Sequence, residues 1–261
     1  MSKKETQRLG EIRLNNQGCL VKIIEYNNAD DIVVEFQDEY KAKLHTRYGN
    51  FIRGVAKNPY YKSVYGVAMI GTKYSTSING KNTKEYCAWI NMINRCYGEK
   101  FKQEHPTYKN VTCCDDWLCY ENFCDWLYKQ DNFEHWLNGG RWEIDKDILC
   151  KNNTIYSPET CCLVPHNVNS LFVKSNKLRG DLPIGVIRQA GKFAAYCKNY
   201  LIDKRYHKFL GFYETIEEAF SAYKQYKEDL IKQVAEIEYK IGNITTKCYQ
   251  AMLDYAIEID D

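Results

Sequence analysis

No apolar run in the 261 residues approaches the ~18 that a membrane span requires. The opening MSKKETQRLG also lacks the apolar core of a secretory signal. These two absences lead to the expectation of a soluble, cytoplasmic protein without membrane partners. Neither sign of charge is in excess, with 36 Lys and Arg against 34 Asp and Glu, so the total says nothing about partners. The twelve cysteines include no C-x2-C pair, and adjacent cysteines rarely offer both sulfurs to one ion, so no zinc site is expected. Without an export signal in a chain of this size, the cysteines are read as reduced thiols, mostly ordinary core residues.

The charge that is present is distributed in blocks. Residues 1–110 carry 18 basic and 11 acidic side chains, 111–173 carry 4 and 10, 174–213 carry 9 and 2, and 214–261 carry 5 and 11. The basic 174–213 block is the best candidate for a polyanion surface. The length admits more than one compact unit, and the blocks suggest modules with different tasks.

Along the chain, Cys19–Tyr26 and Asp31–Phe36 are rich in β-branched and aromatic residues, with a turn at Asn27–Asp30 between them. Residues 1–60 are therefore read as a small barrel similar to SH3 or Tudor modules, either an accessory contact or an inert cap. Residues 60–84 are read as a connector. Trp89, Met92, Ile93 and Cys96 share one face of a helix predicted over Lys84–Tyr97, and a second helix is predicted over Asp116–Lys129. Strands are predicted over Glu143–Leu149 and Tyr156–Val164, followed by a short helix carrying His166, Asn167 and Asn169. Further on, strands are predicted over 182–188, 192–197 and 208–213. A helix then opens at Thr215, with Glu218 completing a capping box. Apolar positions from Ile231 to Ala256 extend this as a helical, acidic tail.

Two stretches resemble known families. Trp89-x-x-Met92-x-x-Arg95-Cys96-Tyr97, Val111 to Trp117, Phe123-x-x-Trp126, Ile144-Asp145-Lys146-Asp147 and Tyr156-Ser157-Pro158-Glu159-Thr160-Cys161 occur in the order seen in HNH-type endonuclease-like proteins of bacteriophages. The resemblance covers roughly residues 86–173. It implies a ββα core in a phage-encoded protein of the bacterial cytoplasm, holding Mg2+ or another divalent cation. Asp145 falls on the metal-binding aspartate and Asn169 on the helix ligand. Lys146 stands where the general base belongs, and Thr160 where many relatives have asparagine. Because an ammonium with a pKa near ~10.4 is a poor base, His166 is the alternative base and Asp147 an additional metal ligand.

The second resemblance lies in Gly185-Val186, Gly191-Lys192-Phe193-x-Ala195 and Leu210-Gly211-Phe212-x-x-Thr215-x-Glu217-Glu218-Ala219 followed by Ala222-Tyr223. This order resembles the AP2 DNA-binding domain over about 45 residues, 182–226. The family places its three-stranded sheet in the major groove. That assigns Arg188, Lys192, Phe193, Tyr196 and Lys198 to the groove face and Arg205 and Lys208 to its rim.

The whole is read as an α+β multidomain chain. Its parts are a β-barrel (1–60), a connector and helix (61–110), an HNH-like module (111–178), an AP2-like domain (179–228) and a helical tail (229–261). The leading expectation is a metal-dependent DNA endonuclease or nickase targeted to double-stranded DNA. The alternative is a catalytically dead scaffold that acts as a regulator, or that blocks a host nucleic-acid-binding protein such as a nuclease or a CRISPR-Cas defence complex. In that role the acidic 111–173 block would face a basic groove.

Overall fold

The computed structural model describes residues 7–173, 181–199, 201–202 and 206–261. The chain is mixed α+β and divides at Asp125/Trp126 into two compact units. Among the described residues no helix is long and apolar enough to cross a membrane, and the twelve cysteines form no disulfide.

In the first unit, strands Ile12–Leu14 (β1), Leu20–Asn28 (β2), Asp31–Phe36 (β3) and Lys43–Thr46 (β4) form an antiparallel meander in that order. Alternation sends Val21 and Ile23 from β2, and Ile32, Val34 and Phe36 from β3, into one small core. The expected barrel is corrected here, because β1 and β4 do not pair and the sheet stays open. A short helix, Tyr48–Ile52 (α1), follows β4 and delivers Phe51 into the same core in place of a closing strand.

Strands Ser77–Ile78 (β5) and Lys81–Asn82 (β6) make a two-residue hairpin inside the stretch read as a connector. Asn79 and Gly80, both at positive φ, turn it. The helix Lys84–Tyr97 (α2) has the predicted limits, is capped by Thr83 and buries Trp89, Met92, Ile93 and Cys96. Helix Glu99–Glu104 (α3), a 3-10 turn at Pro106–Tyr108 and strand Thr112–Cys113 (β7) lead onward. The helix predicted over Asp116–Lys129 is broken in two, a 3-10 turn at Asp115–Leu118 and the helix Tyr120–Leu127 (α4). The break has a local cause. Cys119 forms a bridge with Met69, and two backbone bonds (Met69 N to Leu118 O, 2.8 Å; Tyr120 N to Met69 O, 3.0 Å) hold it extended.

The second unit contains helix Phe133–Asn138 (α5), strands Trp142–Asp145 (β8), Ile155–Tyr156 (β9) and Cys162–Pro165 (β10), and the single-turn helix His166–Asn169 (α6). Then come strands Val186–Gln189 (β11), Lys192–Lys198 (β12) and His207–Tyr213 (β13), and helices Ile216–Lys240 (α7) and Thr246–Leu253 (α8). Strands β8 and β10 pair antiparallel, and β11-β12-β13 form a separate antiparallel sheet. The capping box at Thr215 and Glu218 is present at the start of α7. No breaker interrupts the apolar stripe of α7, so the helix runs 25 residues through the expected border at 228/229. One core joins β10, α6, the three-stranded sheet and the two C-terminal helices. Ile148, Cys162, Val164 and Val168 meet Val186, Ala195 and Cys197 of the sheet, with Phe220, Tyr223, Leu230 and Ile231 of α7 and Met252 of α8. Burying each large apolar side chain contributes about 1.5–3 kcal/mol.

Three predicted strands are shorter than expected, and the one read over 182–188 begins only at Val186. The strand read as Glu143–Leu149 ends at Asp145, whose carboxylate Oδ1 accepts from the backbone N–H groups of Asp147 and Ile148, each at 2.8 Å. This side-chain acceptor turns the chain where the next strand residues would have continued it. The strand read as Tyr156–Val164 splits into β9 and β10 because Ser157-Pro158-Glu159-Thr160 turns between them. The Ser157 carbonyl accepts from Cys161 N at 3.0 Å, closing that turn.

Candidate functional site

The hairpin β8–β10 carries the residues expected to do chemistry, and its register sets their separation. Cys162 pairs with Asp145, and Pro165 pairs with Trp142. His166 follows Pro165 directly. Asp145 and His166 therefore stand four residue steps apart along the ladder, about 14 Å at ~3.4 Å per residue. His166 is instead beside Glu143, with Nδ1 3.2 Å from Oε1, and Arg141 Nε donates to that same oxygen at 3.2 Å.

Lys146 is 11 % exposed at its side chain. Its Nζ donates to both oxygens of Asp147, at 2.9 and 2.8 Å, and to the Asn153 carbonyl at 2.7 Å. These bonds commit the Lys146 side chain to the turn it closes. Asn169 gives its carbonyl to Phe172 N at 3.1 Å. Thr160 Oγ1 donates to the Ile155 carbonyl at 2.8 Å, a bond that fixes the turn between β9 and β10.

Asp145 keeps some exposure as a residue, yet burial of its carboxyl group is the main influence and raises its pKa. The two backbone donors pull in the opposite direction. With one Asp145 oxygen given to the backbone and both Asp147 oxygens to Lys146, this donor set does not suit a divalent cation. Among the described residues no group of three or more His, Cys, Asp or Glu side chains is placed to hold a metal ion.

The raised pKa of Asp145 has a testable sign. Because the folded state holds this proton more tightly, the carboxylate costs stability above its folded pKa, and the cost vanishes below its unfolded pKa near ~3.9. An asparagine at this position keeps an acceptor oxygen for Asp147 N and Ile148 N without the charge. Asp145→Asn is therefore expected to equal or exceed the wild type in stability at neutral pH. Asp145→Ala orphans both donors and is expected to cost about 1–3 kcal/mol. Urea midpoints of the two variants check this, and a costly Asp145→Asn would contradict it.

The sheet β11–β13 presents two unlike faces. Ala195 and Cys197 face the core, so the period-two alternation puts Phe193 on that side and Lys192, Ala194, Tyr196 and Lys198 on the other. Phe193 indeed packs against the core, and the Arg188 guanidinium lies over its ring, 4.9 Å from the centroid. Arg188 pairs with Phe193 across the strands. Strand alternation thus separates these two from Tyr196 and Lys198, with which the resemblance grouped them.

The outer face bears an aromatic ridge that the sequence pattern did not single out. Tyr196, Phe209 and Phe212 stand in a row, with ring centroids 5.2 and 5.1 Å apart. Phe209 is 43 %, Phe212 48 % and Ile187 47 % exposed. A β-bulge creates this arrangement, since the register shifts between Ala195/Gly211 and Tyr196/Phe209. The shift leaves Leu210 to pack against the core and re-aims Phe209 outward. Period-two alternation in β13 was the available signal, and the bulge is what hid it.

Lysines flank the ridge. Lys192 pairs with Glu214 at 2.5 Å in an exposed ion pair, which is worth little in water. Lys198 lies opposite His207 and Cys197 opposite Lys208 at the far end of β12. Arg205 lies outside the described residues.

No family model, curated protein or solved structure matches this chain.

Proposed function

We propose that this chain binds double-stranded DNA through the outer face of β11–β13, in the manner of an AP2 domain, and that the HNH-like hairpin is a scaffold rather than a nuclease. The observation that carries the reading is the exposed ridge of Tyr196, Phe209 and Phe212 flanked by Lys192 and Lys198 on a helix-backed sheet. A two- or three-stranded ribbon of this kind is narrow enough for a major groove, where apolar side chains meet thymine methyl groups and cations meet phosphates. Support for the scaffold half comes from Asp145 Oδ1 and Lys146 Nζ, which are spent on the turn they hold.

Fluorescence anisotropy of a labelled duplex across a salt series tests the binding. The logarithm of affinity is expected to fall linearly with the logarithm of salt concentration. Neutralising Lys192 and Lys198 to Gln is expected to flatten that slope by about 1 for each phosphate contact removed. An unchanged slope and affinity would remove both residues from the interface.

A second reading retains hydrolysis, favoured by the pairing of His166 Nδ1 with Glu143. A carboxylate on one ring nitrogen fixes the orientation of the imidazole. Supercoiled plasmid incubated with Mg2+ or Mn2+ separates the two. The scaffold reading expects no nicking by purified protein, whereas nicking abolished by His166→Ala would establish the enzyme.

A further inference from the structure

One residue of α7 departs from the stripe it occupies. Phe220, Tyr223, Leu230, Ile231 and Val234 bury one side of the helix, and Lys227 falls on the same side, only 6 % exposed. A buried ammonium normally has a carboxylate partner. Among the described residues Lys227 has none. The charged or titratable groups that act on it are Cys197 and another cation, Lys198, and its burial lowers its pKa.

Lys227 lines a cavity of about 770 Å³. The cavity exists because β11 starts at Val186, opposite Ala195, whereas β12 runs on to Lys198. Its polar lining residues include Arg188, Lys198, His207 and His166 along with Lys227. Its apolar lining is mostly aliphatic, with Leu171, Leu182, Ile184 and Ile187. No aspartate or glutamate is among the described lining residues. Glu143 touches His166 from outside the lining. Gly185 shapes the floor at φ +80, closely packed on the Tyr223 ring.

We propose that this cavity is a binding site for a nucleoside monophosphate group, with the phosphate on Lys227 and Lys198 and the planar base against the aliphatic wall. The size suits such a ligand, since small-molecule sites run about 300–1,000 Å³ with mostly apolar linings and a few convergent polar groups. A phosphate dianion supplies what Lys227 lacks, and the lysines with Arg188 give it charge-assisted hydrogen bonds. The same chemistry occurs in a free mononucleotide and in the 5′-phosphorylated end of a DNA strand. The site shares Tyr196 and Lys198 with the proposed duplex face, but it stands on Lys227 and the cavity, and it holds whether or not the outer face grips duplex.

Calorimetric titration of the full chain with dTMP, thymidine and inorganic phosphate tests the proposal. Short single-stranded oligonucleotides with and without a 5′-phosphate complete the set. Saturable dTMP binding is expected, with thymidine and inorganic phosphate each weaker by at least about tenfold. Oligonucleotide binding that requires the 5′-phosphate, without dTMP binding, would assign the site to strand ends. Lys227→Met keeps the length and apolar stem of the side chain and is expected to fold, to weaken the phosphate-bearing ligand at least about tenfold, and to leave duplex affinity unchanged. If Lys227→Met does not fold, Lys198→Gln is to weaken the same ligand at least about threefold. Phe209→Ala/Phe212→Ala is to leave dTMP binding intact, which keeps a failure of the duplex reading distinct from a failure here. Absence of saturation by both dTMP and the 5′-phosphorylated strand, or wild-type affinity in folded Lys227→Met, overturns the proposal.

Discussion

Gly185→Ala is expected to destabilise the C-terminal unit by about 3 kcal/mol or more. Two penalties coincide at this position. The backbone φ of +80 lies in the left-handed region that L side chains avoid, and a Cβ built there would come within 2.0 Å of Tyr223 Cδ2. Tyr223 is 4 % exposed and belongs to the shared core, so its ring cannot shift without disturbing that packing. Gly191 provides the internal comparison. It has nearly the same φ, +77, but a methyl group there would meet nothing within 4 Å, because the residue sits at the exposed β11–β12 turn. Gly191→Ala therefore carries only the backbone cost, about 1 kcal/mol. Chemical denaturation of both variants gives the difference directly. Equal losses at the two positions would show that the Tyr223 contact is not tight.

Replacing Phe209 and Phe212 together by alanine is expected to weaken duplex binding by roughly 10- to 100-fold while leaving the fold intact. Each ring is about half exposed, so covering it in a groove would contribute about 1 kcal/mol or somewhat more. Neither ring belongs to the core beneath the sheet, in contrast to Phe193, Leu210 and Tyr213. Phe193→Ala should therefore do the reverse and reduce stability more than affinity. Anisotropy and thermal unfolding of the double variant and of Phe193→Ala separate the effects. An unaltered duplex affinity in the double variant would mean that the ridge covers a protein partner or nothing at all, since exposed aromatic patches also mark protein interfaces.

Local sequence signals were strongest where one periodicity controlled one element. Trp89, Met92, Ile93 and Cys96 read as a helical face and are one, because α2 has a capping threonine and no competing long-range bridge. The three strands and capped helix of 186–240 were legible for the same reason, with Gly-centred turns and a capping box between clear apolar stripes. Misreadings arose where a side chain or a distant segment redirected the backbone. Asp145 ends β8 with its own carboxylate, and Met69 pulls Cys119 out of a helix. The open N-terminal sheet belongs to the same class, since closure depends on whether β1 and β4 meet rather than on either strand's composition.

The site was legible in part. Tyr196 and Lys198 share the outer face as strand periodicity requires, whereas grouping Phe193 with them ignored that Ala195 and Cys197, two and four residues on, are the ones that face the core. The Phe209–Phe212 ridge depends on the bulge at Leu210, which no local pattern announces. Lys227 was readable in principle. A lysine at the 223, 227, 230, 231, 234 stripe of an amphipathic helix is a charge on the wrong side, and such a charge asks for a ligand or a partner.

The central claim is that the outer face of β11–β13 grips duplex DNA, and backbone amide NMR of the isotopically labelled chain during duplex titration tests it most directly. The account predicts that the largest shifts cluster at Ile187, Tyr196, Lys198, Phe209 and Phe212 and fade as salt is raised. Saturating shifts confined to the β8–β10 hairpin or to the N-terminal sheet, with that cluster silent, would contradict it.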